Sequence, residues 1–236
     1  MSRILHIESA TSVCSVALSE GGLRRSFQEA EQPNTHGERL TLLISHCLNE
    51  AGWRLEELDA VAISAGPGSY TALRVGAATA KGICYALGKP LVRVDTLQII
   101  AAGMAIQVSN HEALYWPMID ARRMEVYTAA YTMNLELISP AQALIVEEDS
   151  FGTWEGRTLF FAGDGADKCK AVLNRPGMYF LDVPLAAGDM IPLAQKAFDS
   201  GKFEDVAYFS PVYLKPPNIT PSKQILWGNI TKINNL

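Results

Sequence analysis

Leu5-His6-Ile7-Glu8-Ser9-Ala10, near the start of the chain, lines up with Pro117-Met118-Ile119-Asp120-Ala121-Arg122 near its middle. In each, an apolar run that reads as a strand ends in an acid. A second extended run follows, from Val13 in one case and from Glu125 in the other. Further on, Ala65-Gly66-Pro67-Gly68 lines up with Ala162-Gly163-Asp164-Gly165. Each of these turns follows an apolar strand and precedes an expected helix. The order strand, acid, strand and later strand, glycine turn, helix therefore occurs twice, which points to a duplicated α/β unit.

Working outward from these anchors, the first half reads as βββαβαβα. Strands are expected at Arg3 to Ser9, Val13 to Ser19 and Leu23 to Glu29, with Glu20-Gly21-Gly22 as the hairpin turn. A helix is expected from about Gly37 to Ala51, where Leu40, Leu43, Ile44, Cys47 and Leu48 fall at helical spacing, and Gly52 stops it. A strand over Ala60 to Ala65, a helix over Tyr70 to Leu87, a strand over Leu91 to Val94 and a helix near Thr96 to Gln107 complete this half. The second half offers strands at Leu114 to Asp120 and Glu125 to Thr132, then two short extended pieces, Leu137 to Ser139 and Ala143 to Glu147. A strand at Leu159 to Ala162, a helix from Gly163-Asp164-Gly165 toward Leu173 and a last helix over Pro192 to Ser200 follow. The expected division is a lobe over 1–107, a lobe over 108–215, and an irregular, locally basic tail over 216–236.

Two such lobes would face each other across a cleft, each presenting a carboxylate at a strand end and a glycine turn at a helix start. Acids can hold a metal or its water shell, and glycine turns let backbone N–H groups approach a phosphate. That is the logic of the actin-like and hexokinase-like (ASKHA) nucleotide-binding folds, and a two-lobed, duplicated α/β fold of this kind is expected. Composition agrees with a packed chain: 236 residues, 48% hydrophobic and 19% charged, which excludes disordered, collagen-like and coiled-coil architectures. Twenty Lys and Arg against 25 Asp and Glu, net −5, lack the electrostatic footprint of a stand-alone nucleic-acid binder. Cys14, Cys47, Cys84 and Cys169 form no CxxC pair and read as buried free thiols in a reducing compartment. The segment MSRILHIES does not read as a signal peptide and no run approaches the ~18 apolar residues of a membrane helix, so a cytoplasmic protein without membrane contact is expected.

The segment Ser64-Ala65-Gly66-Pro67-Gly68-Ser69-Tyr70-Thr71-Ala72-Leu73-Arg74-Val75-Gly76 resembles the signature S-x-GPGSFTGLRIG of the TsaB (YeaZ) family. Ile4 to Leu18, Thr35-His36-Gly37-Glu38-Arg39-Leu40, Ile119-Asp120-Ala121-Arg122 with Glu125-Val126-Tyr127, and Pro211-Val212-Tyr213-Leu214-Lys215 resemble the family too. Glu8 stands where the family usually has Asp, Ala72 where it has Gly, and Lys215 where it has Arg; beyond Pro217 nothing matches. The resemblance implies an accessory, non-catalytic subunit of the bacterial machinery that installs N6-threonylcarbamoyladenosine beside the tRNA anticodon. It implies as partners a TsaD-like catalytic subunit, which binds and is activated, a TsaE-like ATPase, and a second copy of the chain when alone. Contact with tRNA is implied only through the complex. The family also carries a glycoprotease label inherited from TsaD.

The residues can be set against that label. The catalytic relative uses two His at i, i+4 plus an acid, whereas His6, His36, His46 and His111 include no pair four apart. His36 and His46 lie about 1000° apart around a helix and share no face. There is no HExxH and no GxSxG. No catalytic residue, metal or cofactor is expected. An ATP-binding phosphotransferase or ATPase on the same fold, and a metallopeptidase, are the competing classes. Glu8, Gly66, Gly68, Ser69 and Asp120 are the candidates for a vestigial nucleotide or phosphate site. Against this, Pro67 removes a donor, and a tight strand-to-helix junction that fixes the second helix is the favoured reading of the turn. The helix over 70–87 is apolar almost all round, with Ala72, Gly76 and Ala80 as a small-residue stripe. It is either buried wholly within its own lobe or shared with a partner, as the resemblance implies. The expected partner interface is Leu40, Leu43, Ile44 and Cys47 of the first helix with Ala72, Arg74, Val75, Ala78 and Lys81 of the second.

Overall fold

The structure is a computed structural model and describes residues 1–216. The first lobe is built from β1 (Arg3–Glu8), β2 (Ser15–Glu20), β3 (Leu23–Glu29), α1 (His36–Ala51), β4 (Ala60–Ser64), α2 (Tyr70–Leu87), β5 (Leu91–Val94) and α3 (Thr96–Gln107). The second contains β6 (Leu114–Asp120), β7 (Glu125–Tyr131), β8 (Leu137–Ile145), β9 (Leu159–Ala162) and β10 (Met178–Phe180), and α4 (Ile191–Asp199) follows it in the chain. Sheet orders are β3-β2-β1-β4-β5 and β10-β9-β6-β7-β8. Read from the antiparallel edge, β8-β7-β6-β9-β10 repeats the first order strand for strand. In both sheets the first three strands are antiparallel and the last three parallel. The duplication expected from the sequence is thus present in topology.

Three elements differ from expectation. The two extended pieces after residue 136 are one strand, β8. Pro140 is tolerated because β8 is an edge strand whose register shifts between the Thr128–Gln142 and Ala130–Ser139 pairs. The helix expected after Gly163-Asp164-Gly165 is only a 3₁₀ turn, Asp167–Cys169. Pro176 bars helix from the residues just before it and leaves too short a run to propagate one. The three-residue strand β10 carries no readable period of its own and is fixed by its parallel ladder with β9.

Burial explains the assembly. On one face of the first sheet, Leu5 and Ile7 of β1 and Val16 and Leu18 of β2 pack with Leu40, Ile44 and Cys47 of α1 and Ala77, Ala80 and Cys84 of α2. On the other face, Ile4, Val92 and Val94 share one core with Leu97, Ile100 and Met104 of α3 and with Tyr115, Ile119 and Phe160 of the second sheet. A helix buried nearly all round, as α3 is, must sit between two layers, and α3 is the element both sheets close upon. The outer face of the second sheet is covered by a cluster in which Trp116 meets Phe151 at 4.8 Å and Phe151 meets Phe161 at 5.0 Å.

The chain then returns. Gln195 of α4 bonds Ser2, the Ala187 N–H donates to Ser15 Oγ at 2.9 Å, and Glu204 bridges to Leu91. Continuity assigns 108–215 to the second lobe, while the stretch from Ala187 to Phe209 makes contacts with the first. Beyond Pro216, the basic tail expected over 216–236 lies outside the described residues.

Candidate functional site

The two strand-end acids occupy opposite environments. Glu8 is wholly buried; its Oε1 accepts the Ala10 N–H at 2.6 Å and its Oε2 has no partner among the described residues. Burial pushes its carboxyl up to about 8, so it carries a proton at neutral pH. Asp120, its counterpart on β6, is half-exposed; it accepts the Arg122 N–H at 2.8 Å and pairs with Lys168. Asp164, a residue the sequence placed in the second glycine turn but not in the site, accepts the Asp120 N–H at 3.0 Å, and burial raises its carboxyl. Its position, matching Pro67 of the first turn, was the available signal. A neutral Glu8 offers no charge to a cation's water shell.

Gly66 and Gly68 are occupied by protein. The Gly66 N–H donates to Thr96 Oγ1 at 3.0 Å, and a Cβ on Gly66, whose φ is +101°, would overlap the Val212 carbonyl oxygen. A Cβ on Gly68 would overlap the Ala10 carbonyl oxygen, which also accepts the Ser69 N–H at 2.7 Å. The second turn repeats the arrangement: a Cβ on Gly163 or Gly165 would run into the backbone of Met118 or Ile119. In both lobes the glycines let the exit of one strand cross the exit of its neighbour. Gly68 and Ser69 nonetheless line the cavity between the lobes, whereas Gly66 does not.

Between the lobes lies a cavity of about 620 Å³. Thr11 and Ser12 from the β1–β2 loop and Ser69 and Thr71 from the start of α2 line one wall. Asp120, Arg122 and Asp164 line the other, and Tyr213 and Lys215 lie at its edge. Glu8, Gly66 and, by its side chain, any imidazole are absent from the lining. His6 is buried with its Nε2 2.8 Å from Ser19 Oγ, and burial lowers its pKa to about 3; burial lowers His36 as well. The thiols of Cys14, Cys47 and Cys84 are buried and pushed up to about 11, which withholds a thiolate. Among the described residues no group of three His, Cys, Asp or Glu is placed to hold a metal.

The structure divides the expected interface residues. Leu40, Leu43, Ile44 and Cys47 of α1 and Ala72 of α2 are buried in this chain's own core. The stripe Ala72, Gly76 and Ala80 faces the sheet: a Cβ on Gly76 would collide with Ser9 Oγ. Lys81 is tied inward, its Nζ donating at 3.0 Å to the carbonyls of Ala207 and Phe209. Arg74 and Ala78 are exposed and Val75 partly so. They share the outward face with two residues the sequence did not single out, Leu42 at 47% exposure and Tyr85 at 87%. Apolar residues on a packed helix pair divide into two sets, and periodicity alone does not say which set faces inward. No helix among the described residues is long and apolar enough to cross a membrane.

Comparison with known proteins places this geometry. The family model for TsaD, described as tRNA N6-adenosine threonylcarbamoyltransferase, matches residues 30–208. The tRNA threonylcarbamoyladenosine biosynthesis protein TsaB of Escherichia coli is 32% identical over 225 residues, covering 90% of this chain and 94% of the relative. The structure of YeaZ from Pseudomonas aeruginosa superposes with a TM-score of 0.80 at 30% identity, covering 91% of this chain and 100% of that one. The activator of the 2-hydroxyisocaproyl-CoA dehydratase from Clostridium difficile, solved with bound ADPNP, superposes with a TM-score of 0.50 at 9% identity, covering 85% of this chain and 96% of the other. At that identity it speaks to the fold alone, which is the two-lobed, actin-like α/β fold.

Proposed function

The chain belongs to the TsaB family of tRNA threonylcarbamoyladenosine biosynthesis proteins, and from that premise we propose that it is the non-catalytic subunit which binds and activates a TsaD-like transferase. The observation that supports this reading most is the outward face of α1 and α2. Leu42, Val75, Ala78 and Tyr85 present apolar surface to solvent on two helices whose other faces are already packed. An exposed aromatic and exposed aliphatic residues on a pair of packed helices have the composition of an interface. Meanwhile burial keeps Glu8 protonated, His6 neutral and the thiols out of reach, which withholds these groups from the cavity, whose lining carries Asp120, Asp164 and Lys215 instead.

In this reading the chain contributes conformation. Threonylcarbamoyl transfer needs an activated donor, a docked tRNA and stabilisation of developing charge by a metal or preorganised dipoles, and the partner supplies these. Binding through α1 and α2 selects the competent arrangement of the transferase. Alone, the same face pairs with a second copy. A TsaE-like ATPase joins the assembly, tRNA is met only through it, and the setting is cytoplasmic. No cofactor is assigned to this chain.

Reconstitution tests the proposal. Purified TsaD-like, TsaC-like and TsaE-like proteins with donor and tRNA should form modified adenosine slowly until this chain is added, as read by mass spectrometry of digested tRNA. This chain with donor and tRNA alone should form none. Product made without the TsaD-like protein, or a full rate without this chain, overturns the assignment. Saturable ATP turnover by the purified chain would move it to the phosphotransferases.

A further inference from the structure

We propose that Pro211–Lys215 is a latch that fixes how far the two lobes open, and that Arg74 on the outward face of α2 is its handle. The latch has a seat on each lobe. At one end the Val212 N–H donates to the Ala65 carbonyl at 2.7 Å, and the Val212 carbonyl fills the space that a side chain on Gly66 would take. At the other end Lys215 Nζ pairs with Glu125, at the start of β7 in the second lobe. Between them Tyr213 packs against the core shared by both sheets and lines the cavity, as do Leu214 and Lys215. A segment held on the exit of β4 and on the start of β7 spans the cleft, so a change in lobe separation must stretch or release it.

The handle is a chain of three contacts. The Arg74 guanidinium lies 5.3 Å over the Tyr70 ring and its Nη1 donates to the Tyr70 hydroxyl at 2.7 Å. Tyr70 in turn meets Tyr213 with ring centroids 4.8 Å apart. Arg74 is exposed, lies on the same helix face as Ala78, and has no carboxylate partner among the described residues. A partner that engages its guanidinium would draw on the Tyr70–Tyr213 contact and so on the latch. Tyr70 and Thr71 also begin α2 and line the cavity, so that helix connects the cavity with its outward face. The latch stands on this geometry alone; its use by a transferase rests on the proposed function.

Amide hydrogen exchange on the full chain, read by mass spectrometry, tests it. Lys215→Met removes the second-lobe seat and keeps the aliphatic stem; Tyr213→Ala removes the middle; Lys202→Met, an exposed lysine away from the latch, is the control. Exchange in peptides lining the cavity, around 10–13, 69–73 and 120–124, should rise about threefold in Lys215→Met, the scale of a partly exposed ion pair. In Tyr213→Ala it should rise about tenfold or more, because the aromatic contact and its burial go together. Arg74→Ala should reproduce a smaller version of the same pattern although it lies outside the cavity lining. Peptides over β9 and the Trp116–Phe151 cluster should be unchanged in all. Equal exchange in wild type and Lys215→Met, or a rise spread evenly over both lobes, refutes the latch. A normal pattern in Arg74→Ala refutes the handle. The two failures are distinguishable from failure of the proposed function, because none of these measurements includes a partner.

Discussion

Replacing Glu8 by Gln should stabilise the chain increasingly as pH rises. The folded state keeps its proton up to about pH 8, whereas the unfolded carboxyl releases it near 4.5. Between those values the native state binds one proton more than the unfolded state, so stability falls with rising pH, and the loss is complete above the folded value. Integrating between the two gives a cost of about 3 kcal/mol at pH 7 and about 5 kcal/mol above pH 9, relative to acid conditions. Gln retains an oxygen for the Ala10 N–H and removes the titration. Its amide lacks a partner where Oε2 lacks one now, and that penalty, about 1–3 kcal/mol, is the same at every pH. The informative quantity is therefore the slope. His6, lowered to about 3, makes both proteins lose stability as pH falls below about 6.5, and it cancels in the comparison. Urea unfolding at pH 5, 7 and 9, with wild type and Glu8→Gln at equal concentration, reads the difference. It should grow by more than 2 kcal/mol from pH 5 to pH 9. Parallel profiles would refute the claim that this carboxyl is buried and protonated.

Three other outcomes follow from the same structure. Ala78→Glu should leave monomer stability within about 0.5 kcal/mol, because the site is exposed, yet weaken self-association and binding to a TsaD-like partner about a hundredfold by burying an unpaired charge; sedimentation equilibrium and calorimetric titration check both. Gly66→Ala should cost about 3 kcal/mol or more in urea unfolding, since the side chain meets the Val212 carbonyl at a backbone angle that L residues rarely adopt; a loss near zero would remove the first-lobe seat of the latch. Asp120→Ala should lower the reconstituted modification rate less than tenfold, whereas a loss of several hundredfold with assembly intact would give Asp120 a direct chemical role.

The fold was legible because its evidence is repeated. The strand-end acids Glu8 and Asp120 and the turns at Gly66 and Gly163 sit at matching points of two sheets with the same strand order. What failed was local. Pro140 split β8 on paper, and only the edge position of the strand, a property of the whole sheet, makes that proline harmless. The site was less legible for a related reason. Apolar spacing brings Leu40, Leu43 and Cys47 to one helix face, but the same helix carries Leu42 on another, and only packing on β2 and β3 decides which is covered. The glycine turns carry two readings in the sequence, a phosphate cradle and a tight strand-to-helix junction, and the backbone crosses closely at both glycines of the first turn. What approaches them is the chain's own Val212 and Ala10, 146 and 58 residues away in sequence, a separation no local motif encodes.

The return of the chain to its starting lobe has a consequence for synthesis. The first sheet lacks its Glu204 bridge at β5, its Gln195 contact at Ser2 and its Val212 seat at Gly66 until the chain has been made past residue 212. Amino-end-first maturation therefore leaves the first lobe without these contacts, although its strands and its α1 and α2 packing are encoded within residues 3–94. The nascent first lobe must wait, with the Ala17 and Phe27 surface that Ala187 and Ile191 later cover still open to solvent. Once these contacts form, the first lobe and the segment 187–212 are mechanically one piece, so unfolding should proceed as a single cooperative event with no stable half-molecule.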